Sequence, residues 1–268
     1  MRVRVPATIA NLGPGFDLLA LAVDLWLEVE AEPAGQPEWA FSGEGAGWLP
    51  TSPHAFSALN MRGRIHSQIP VGVGLGSSAA ARIAALALGG VSFGELVAQG
   101  AALEGHGDNV AAAVHGGLVL AVDGHVHPLP LPQLEVALFV ASRPVATEAA
   151  RAILPVEVPR EDAIHNAGRL ALLTHAVHTS SWELLPAALA DRLHQPHRTQ
   201  LYPWLPAAIE AARLAGGLGA ALAGAGPSVV AFCEPGSGSA VAAAMAAACE
   251  IQGRQLVTRP VSSGLVIG

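Results

Sequence analysis

Three short stretches carry residue types and spacings that could do chemistry. The first is Pro70-Val71-Gly72-Val73-Gly74-Leu75-Gly76-Ser77-Ser78-Ala79. Glycine on three alternate positions lets the backbone approach a ligand closely. Two hydroxyls follow and open an alanine-rich helical pattern, and a helix N-terminus offers free N–H groups and a favourable dipole to an anion. The plain alternative is a flexible turn in which Ser77 or Ser78 acts as an ordinary cap. The second stretch is Glu104-Gly105-His106-Gly107-Asp108-Asn109, where Glu104 ends one helix and polar groups begin the next. Glu104 is a candidate Mg²⁺ ligand, because Mg²⁺ takes carboxylate and phosphate oxygens. Alone, the stretch reads equally as a helix stop followed by an Asp cap. The third is Gly224-Ala225-Gly226-Pro227-Ser228 between two apolar runs, which alone is a hairpin turn.

Composition narrows the chemistry. All 14 basic residues are arginine; the chain has no lysine. Nucleotide phosphates therefore cannot be held by the lysine of a Walker A loop or of the protein-kinase scheme. Backbone N–H groups, a helix start, metal or arginine remain. The net charge is −7 and no basic patch is present, so nucleic acid is not an expected partner. Hydrophobic residues make up 51% and charged residues 13%, which argues against disorder. No run is long enough for a membrane span, and Cys233 and Cys249 form no CxxC, so a cytoplasmic protein with reduced thiols is expected. The pairs His125/His127 and His175/His178 have metal-compatible spacing but no evident third ligand, and surface or capping roles are favoured.

The elements that must position these stretches follow from periodicity. Strands are expected at 2–6, 25–32, 39–42, 64–68, 117–123, 135–141, 218–223, 228–234 and 254–259. Helices are expected at 79–88, 93–104, 109–114, 147–154, 163–178, 182–193, 204–214 and 239–250. Residues 10–17 read as a tight loop, 43–55 as irregular, Asp123-Gly124 as a hairpin turn and 128–132 as a proline-punctuated connection. Irregular mixing of strands and helices argues α+β rather than a doubly wound sheet. The second half reads as a split βαβ unit. Two domains are expected, 1–132 and 133–268.

Together these stretches resemble the GHMP family of small-molecule kinases. Pro70 to Ala79 matches its PxxxGLGSSA signature and Gly224 to Ser228 its C-terminal glycine motif. Val5-Pro6-Ala7-Thr8-Ile9-Ala10-Asn11-Leu12-Gly13-Pro14-Gly15-Phe16-Asp17, Glu104 to Asn109, Thr147 to Pro155 and Asp191 to Arg198 are similar to the branch that phosphorylates homoserine. The resemblance spans nearly the whole chain. It implies an N-terminal ribosomal-S5-like α/β domain and a C-terminal ferredoxin-like domain, with ATP and Mg²⁺ as cofactors and a homodimer as the assembly. Carried over residue by residue, it places Pro70, Gly72, Gly74, Leu75, Gly76, Ser77, Ser78, Ala79, Gly224 and Gly226 at the nucleotide, with Ser78 and Glu104 on the metal. Asn11 and Asp17 would bind the amino acid, Asp17 at its ammonium, and Arg151 and Arg198 would take its carboxylate, a role suited to the guanidinium fork. Asn109 and Thr147 would lie near the reacting hydroxyl. Mevalonate kinase and similar relatives place a carboxylate base where this chain has Asn109, so phosphoryl transfer without a strong protein base is expected. On the residues alone, Arg151 could instead pair with Glu148 and Arg198 could be a solvated loop residue. The chain departs from the pattern at Ala55, where an Asn beside the nucleotide base is usual, and at Gly107, where Pro is usual. Alternatives are a kinase of another small alcohol and a nucleotide-binding sensor that has lost catalysis.

Overall fold

The computed structural model describes residues 1–47 and 54–268. Residues 48–53, in the stretch expected to be irregular and including Pro53, lie outside the described residues.

The first sheet begins as one long hairpin. Strand β1 (Arg2–Asn11) pairs antiparallel with β2 (Gly15–Pro33) around a turn of three residues. At its start β1 alternates, with Val3 and Val5 fully buried on either side of Arg4. Further along the residues become small (Ala7, Thr8, Ala10) and all are buried, because helices cover this part of the sheet. Strand β3 (Glu38–Gly43) lies parallel to β4 (Met61–Ser67), which pairs with the distal half of β2. Helices α1 (Ser77–Leu88), α2 (Phe93–Glu104) and α3 (Asp108–His115) follow. Alanines of α1 and α3 sit on the alanines of β1 and β2, and small residues on both sides bring helix and sheet backbones close. A second hairpin, β5 (Leu118–Val122) and β6 (His125–Leu129), joins the proximal half of β2.

Residues 130–134 lead into the second sheet. Strand β7 (Glu135–Ala141) is followed by α4 (Thr147–Ala152), α5 (Arg160–Thr179), a 3₁₀ turn (Trp182–Leu184), α6 (Leu185–Ala188), α7 (Gln195–Arg198) and α8 (Leu205–Leu214). Then come β8 (Gly219–Leu222), β9 (Val229–Cys233), α9 (Gly238–Ala248) and β10 (Gly253–Thr258). The strand order β10-β7-β9-β8, antiparallel throughout, with α8 and α9 packed on the sheet, is the expected split βαβ arrangement. Its core joins Phe139, Tyr202, Leu205, Val241 and Met245. The chain then returns to the first sheet: Pro260 bridges to Val23, and β11 (Val266–Ile267) pairs with β1. No helix among the described residues is long and apolar enough to cross a membrane.

Several expectations need correction. The tight loop at 10–17 shrinks to residues 12–14, because turn-forming Asn11, Gly15 and Asp17 lie within the strands; Asn11 and Asp17 do so with φ of 72° and 57°. A helix over 182–193 is not formed. The chain breaks after Ala188, and the Asp191 carboxylate accepts the N–H groups of Leu193, His194 and Gln195, so a new helix starts there. Pro128 and Leu129, expected in the connection 128–132, instead end strand β6; β6 pairs only with β5, so as an edge strand it tolerates the missing N–H.

Candidate active site

The loop before α1 folds back across β1 and meets the Gly224 loop. Gly74 and Gly76 have φ of +86° and +70°, which L side chains rarely adopt. A Cβ on Gly74 would stand 2.1 Å from the Ala223 carbonyl oxygen, and one on Gly76 would stand 2.0 Å from Thr8 Oγ1. Backbone approach, rather than flexibility, therefore requires these glycines. The Leu75 carbonyl accepts from Thr8 N (3.2 Å), the Gly72 carbonyl from Val145 N (3.2 Å), and the Ala10 carbonyl from Gly224 N (3.2 Å). Gly76 caps α1 in the left-handed conformation and supplies no side-chain acceptor, so the N–H groups of the first turn stay available for an anion. Ser78 Oγ donates to Glu104 Oε1 (2.7 Å), and Arg82 Nε lies 3.1 Å from the same oxygen. Ser77 Oγ accepts from Gly72 N at 3.4 Å.

This loop separates two spaces. On one side is a cavity of about 780 Å³ walled by Leu27, Phe41, Phe56, Ile65, Leu86 and Val91, with Ala55, Ser77 and Ser78 on its lining. On the other is a polar cleft of about 100 Å³. The cleft brings together Asn11, Asp17, Gly72, Gly74, Gly76, Ser77, Ser78, Ala79, Glu104, Asn109, Thr147, Arg151, Arg198, Gly224 and Gly226. Pro70 and Leu75 are buried beneath the loop and do not line the cleft.

The charged residues pair across the chain. Arg151 Nη1 donates to Asp17 Oδ2 (2.9 Å) and Nη2 to Oδ1, a two-pronged contact between α4 and β2. The hydrogen bond to Asp17 raises the Arg151 pKa. Arg151 thus pairs with Asp17 and not with Glu148. Arg198 is 1% exposed, so it is not a solvated loop residue. Its Nε donates to the Ala150 carbonyl (3.1 Å), and its Nη1 to the Gly224 carbonyl (3.1 Å) and to His194 Nδ1 (3.1 Å). Among the described residues its Nη2 has no hydrogen-bond partner. Both guanidinium carbons lie over the Phe16 ring, at 5.4 Å for Arg151 and 5.5 Å for Arg198. Asn11 lines the cleft, but its amide is committed: Nδ2 donates to the Gly224 carbonyl (2.9 Å) and Oδ1 accepts from Asp17 N (3.1 Å).

Further residues of the matched stretches, given no role in the sequence reading, hold this set in place. His194, fully buried, accepts from Arg198 at Nδ1 and so donates from Nε2 to the Gly13 carbonyl (2.8 Å). Burial lowers its pKa to about 4, so the ring is neutral. Burial would raise the Asp191 pKa, but His194, Asn166 and the backbone N–H groups of Leu193 and Gln195 outweigh this and lower it. Phe16 stacks on His194 at 5.2 Å between centroids. His106 Nδ1 lies 3.0 Å from Asp108 Oδ1, and that hydrogen bond raises the His106 pKa despite partial burial. A sequence signal for Asp191 is its place four residues before a helix whose first turn holds Pro196; His194 is marked only by lying in the stretch 191–198 that resembles the family.

The family model for the GHMP kinases N terminal domain matches residues 51–117, and that for GHMP kinases C terminal matches residues 173–251. The chain is 44% identical to homoserine kinase of Thermus thermophilus, over 96% of this chain and 94% of that protein. It is 41% identical to homoserine kinase of Moorella thermoacetica, over 91% and 92% of the two chains. A crystal structure of homoserine kinase from Cytophaga hutchinsonii superposes with a TM-score of 0.86 at 26% identity, covering 99% of this chain and 96% of that one. Mevalonate kinase of L. major shares the fold at a TM-score of 0.71, with 14% identity over 98% and 97% of the two chains. The chain belongs to the homoserine kinases of the GHMP kinase family.

Proposed function

We propose that this protein transfers the γ-phosphoryl group of Mg·ATP to the side-chain hydroxyl of L-homoserine, giving O-phospho-L-homoserine for threonine synthesis. The observation that carries the reading is the charge set beside the phosphate loop: one carboxylate (Asp17) and two guanidinium groups (Arg151, Arg198) around one ring, in the cleft that Ser77 and Ser78 line. That set complements a zwitterion. A substrate without an ammonium group would leave Asp17 only Arg151 as partner, the same guanidinium that the substrate carboxylate needs. The apolar cavity on the far side of Ser77 and Ser78 has the size and lining for a nucleoside. With Ala55 on its wall, the base is held there mainly by apolar packing.

The first-turn N–H groups of α1 and the glycine backbone would hold the phosphates. Ser78 Oγ and Glu104 Oε1, 2.7 Å apart at the end of that loop, are hard oxygen donors that fit Mg²⁺. When bound, the ion neutralises charge on the β- and γ-phosphates. The remaining work is positioning. Asp17 would receive the substrate ammonium; Arg151 and the free Nη2 of Arg198 would take its carboxylate. These contacts direct the side-chain hydroxyl toward Asn109 and Thr147. The hydroxyl oxygen forms a bond to the γ-phosphorus as the bond to the β-bridging oxygen breaks. Asn109 has no site to accept a proton, so the hydroxyl proton leaves through the phosphoryl oxygens or water. A cytoplasmic setting fits the two free, buried cysteines, Cys233 and Cys249.

A coupled ADP-release assay over homoserine, serine, threonine and mevalonate tests the reading. Homoserine should stimulate release most strongly. Stimulation by mevalonate instead would assign a different alcohol, and ATP binding without turnover on any of the four would favour a sensor.

A further inference from the structure

Thr8 is fully buried in β1 and does not line the cleft. It nevertheless touches both halves of the catalytic apparatus. Its N–H donates to the Leu75 carbonyl of the phosphate loop at 3.2 Å. Its hydroxyl donates to Asn109 Oδ1, 101 residues further along the chain, at 2.7 Å. The same hydroxyl fills the space where Gly76 would carry a Cβ. The terminal torsion of an asparagine is broad and roughly two-fold, so its amide has little preference of its own for which end faces a cleft. With Oδ1 engaged by Thr8, the Nδ2 group is the end left toward the cleft, and it has no other hydrogen-bond partner among the described residues. The opposite orientation would aim a carbonyl oxygen at phosphate oxygens, and two acceptors cannot bond to each other.

We propose that Thr8 is a positioning residue for phosphoryl transfer: its hydroxyl fixes the Asn109 amide so that the Nδ2 donors face the transferring group and the substrate hydroxyl. The inference rests on the kinase reading above. Thr8 binds neither substrate. Its effect is exerted through Asn109, and its backbone tie to Leu75 keeps that amide in register with the phosphate loop.

The test pairs Thr8→Val, which keeps the shape and removes the hydroxyl, with Thr8→Ser, which keeps the hydroxyl, each in the wild-type and Asn109→Ala backgrounds. Thr8→Val should lower kcat about tenfold, the rate equivalent of one hydrogen bond, with both KM values within about twofold. Thr8→Ser should restore most of the rate. Thr8→Val should add nothing in the Asn109→Ala background. An equal fall in both backgrounds, or a serine variant as slow as the valine one, overturns the proposal. A second readout does not depend on turnover: the side-chain ¹⁵N–¹H₂ signals of Asn109, assigned by their loss in Asn109→Ala. These should shift or broaden in Thr8→Val and stay near their wild-type position in Thr8→Ser. Unchanged signals in Thr8→Val refute the positioning. A wild-type protein with no homoserine-dependent ADP release refutes the kinase reading separately. If Thr8→Val fails to fold, Thr8→Cys, a weaker donor of similar size, takes its place in both measurements with the same outcomes.

Discussion

Replacing Asp17 by Asn keeps the side chain's shape and removes its charge. In the free protein Asp17 faces Arg151 with side chains 33% and 36% exposed. An ion pair that open to water stabilises a fold by about 0–1 kcal/mol, so Asp17→Asn should leave the unfolding midpoint nearly unchanged. The bound state differs. A carboxylate accepting from a substrate ammonium makes a charge-assisted hydrogen bond of about 1.5–3 kcal/mol, so its loss should lower kcat/KM for homoserine roughly 10- to 150-fold. The loss should fall on the KM for homoserine, because the phosphate loop is untouched, and the KM for ATP should hold. Removing the carboxylate also leaves Arg151 and Arg198 facing one site without a counter-charge. 4-Hydroxybutyrate, which is homoserine without its ammonium group, must compete with Asp17 for Arg151 in the wild type but not in the variant. It should therefore inhibit Asp17→Asn more strongly than wild type while homoserine binds more weakly. Steady-state kinetics with both compounds, supported by thermal melts, read this directly. If the preference for homoserine over the acid is the same in both proteins, Asp17 does not meet the ammonium, and the zwitterion argument is wrong.

Other predictions address the remaining parts. Glu104→Gln keeps a hydrogen-bonding oxygen beside Ser78 but loses the negative charge, so the Mg²⁺ concentration needed for half-maximal rate should rise about tenfold or more; an unchanged Mg²⁺ titration removes Glu104 from the metal site. Gly76→Ala should cost about 1–2 kcal/mol from the left-handed backbone alone, and its Cβ meets Thr8 Oγ1, so nucleotide binding should be lost while circular dichroism stays near native; calorimetric titration with an ATP analogue showing wild-type affinity would contradict the close-approach argument. His194 is neutral in the fold because burial lowers its pKa to about 4, whereas the unfolded chain takes a proton near 6.5. The unfolded state thus binds more protons between those values, so stability is full above pH 6.5 and falls as the pH drops toward 4, by up to about 3 kcal/mol. Urea midpoints at pH 7.5 and 5 should show this fall in wild type and a smaller one in His194→Gln; equal falls would mean that His194 is not its source.

The parts of the site that the sequence revealed are those whose chemistry is local. Gly74, Gly76 and Ser78 can be read from a dozen residues because a phosphate loop is built from adjacent backbone groups. Glu104 and Asn109 were legible as a pair of helix ends. What stayed hidden depends on partners far along the chain. The amide of Asn11 bonds the Gly224 carbonyl, and Thr8 bonds Asn109, at separations of 213 and 101 residues. No spacing rule connects such positions. Arg198 looked like a loop residue because its helix is a single turn, held by a carboxylate rather than by an apolar stripe. The strand over residues 18–24 was missed because turn formers nearby outweighed it, although Leu19, Leu21 and Val23 alternate with alanine and all are buried.

The return of the chain to its first sheet has a bearing on assembly during synthesis. Residues 260–268 supply the bridge to Val23, the hydrogen bond from Gly117 N to the Val261 carbonyl and the edge strand beside β1. Thr8 and Asn11, which organise the cleft, sit on that same β1. The sheet built on β1 is therefore closed at that edge by residues that follow the second sheet in the chain. Contacts of such long sequence separation form slowly. The cleft draws on the Gly224 loop as well as on the phosphate loop, so a nascent chain that stops short of Gly224 has no complete cleft to offer a nucleotide.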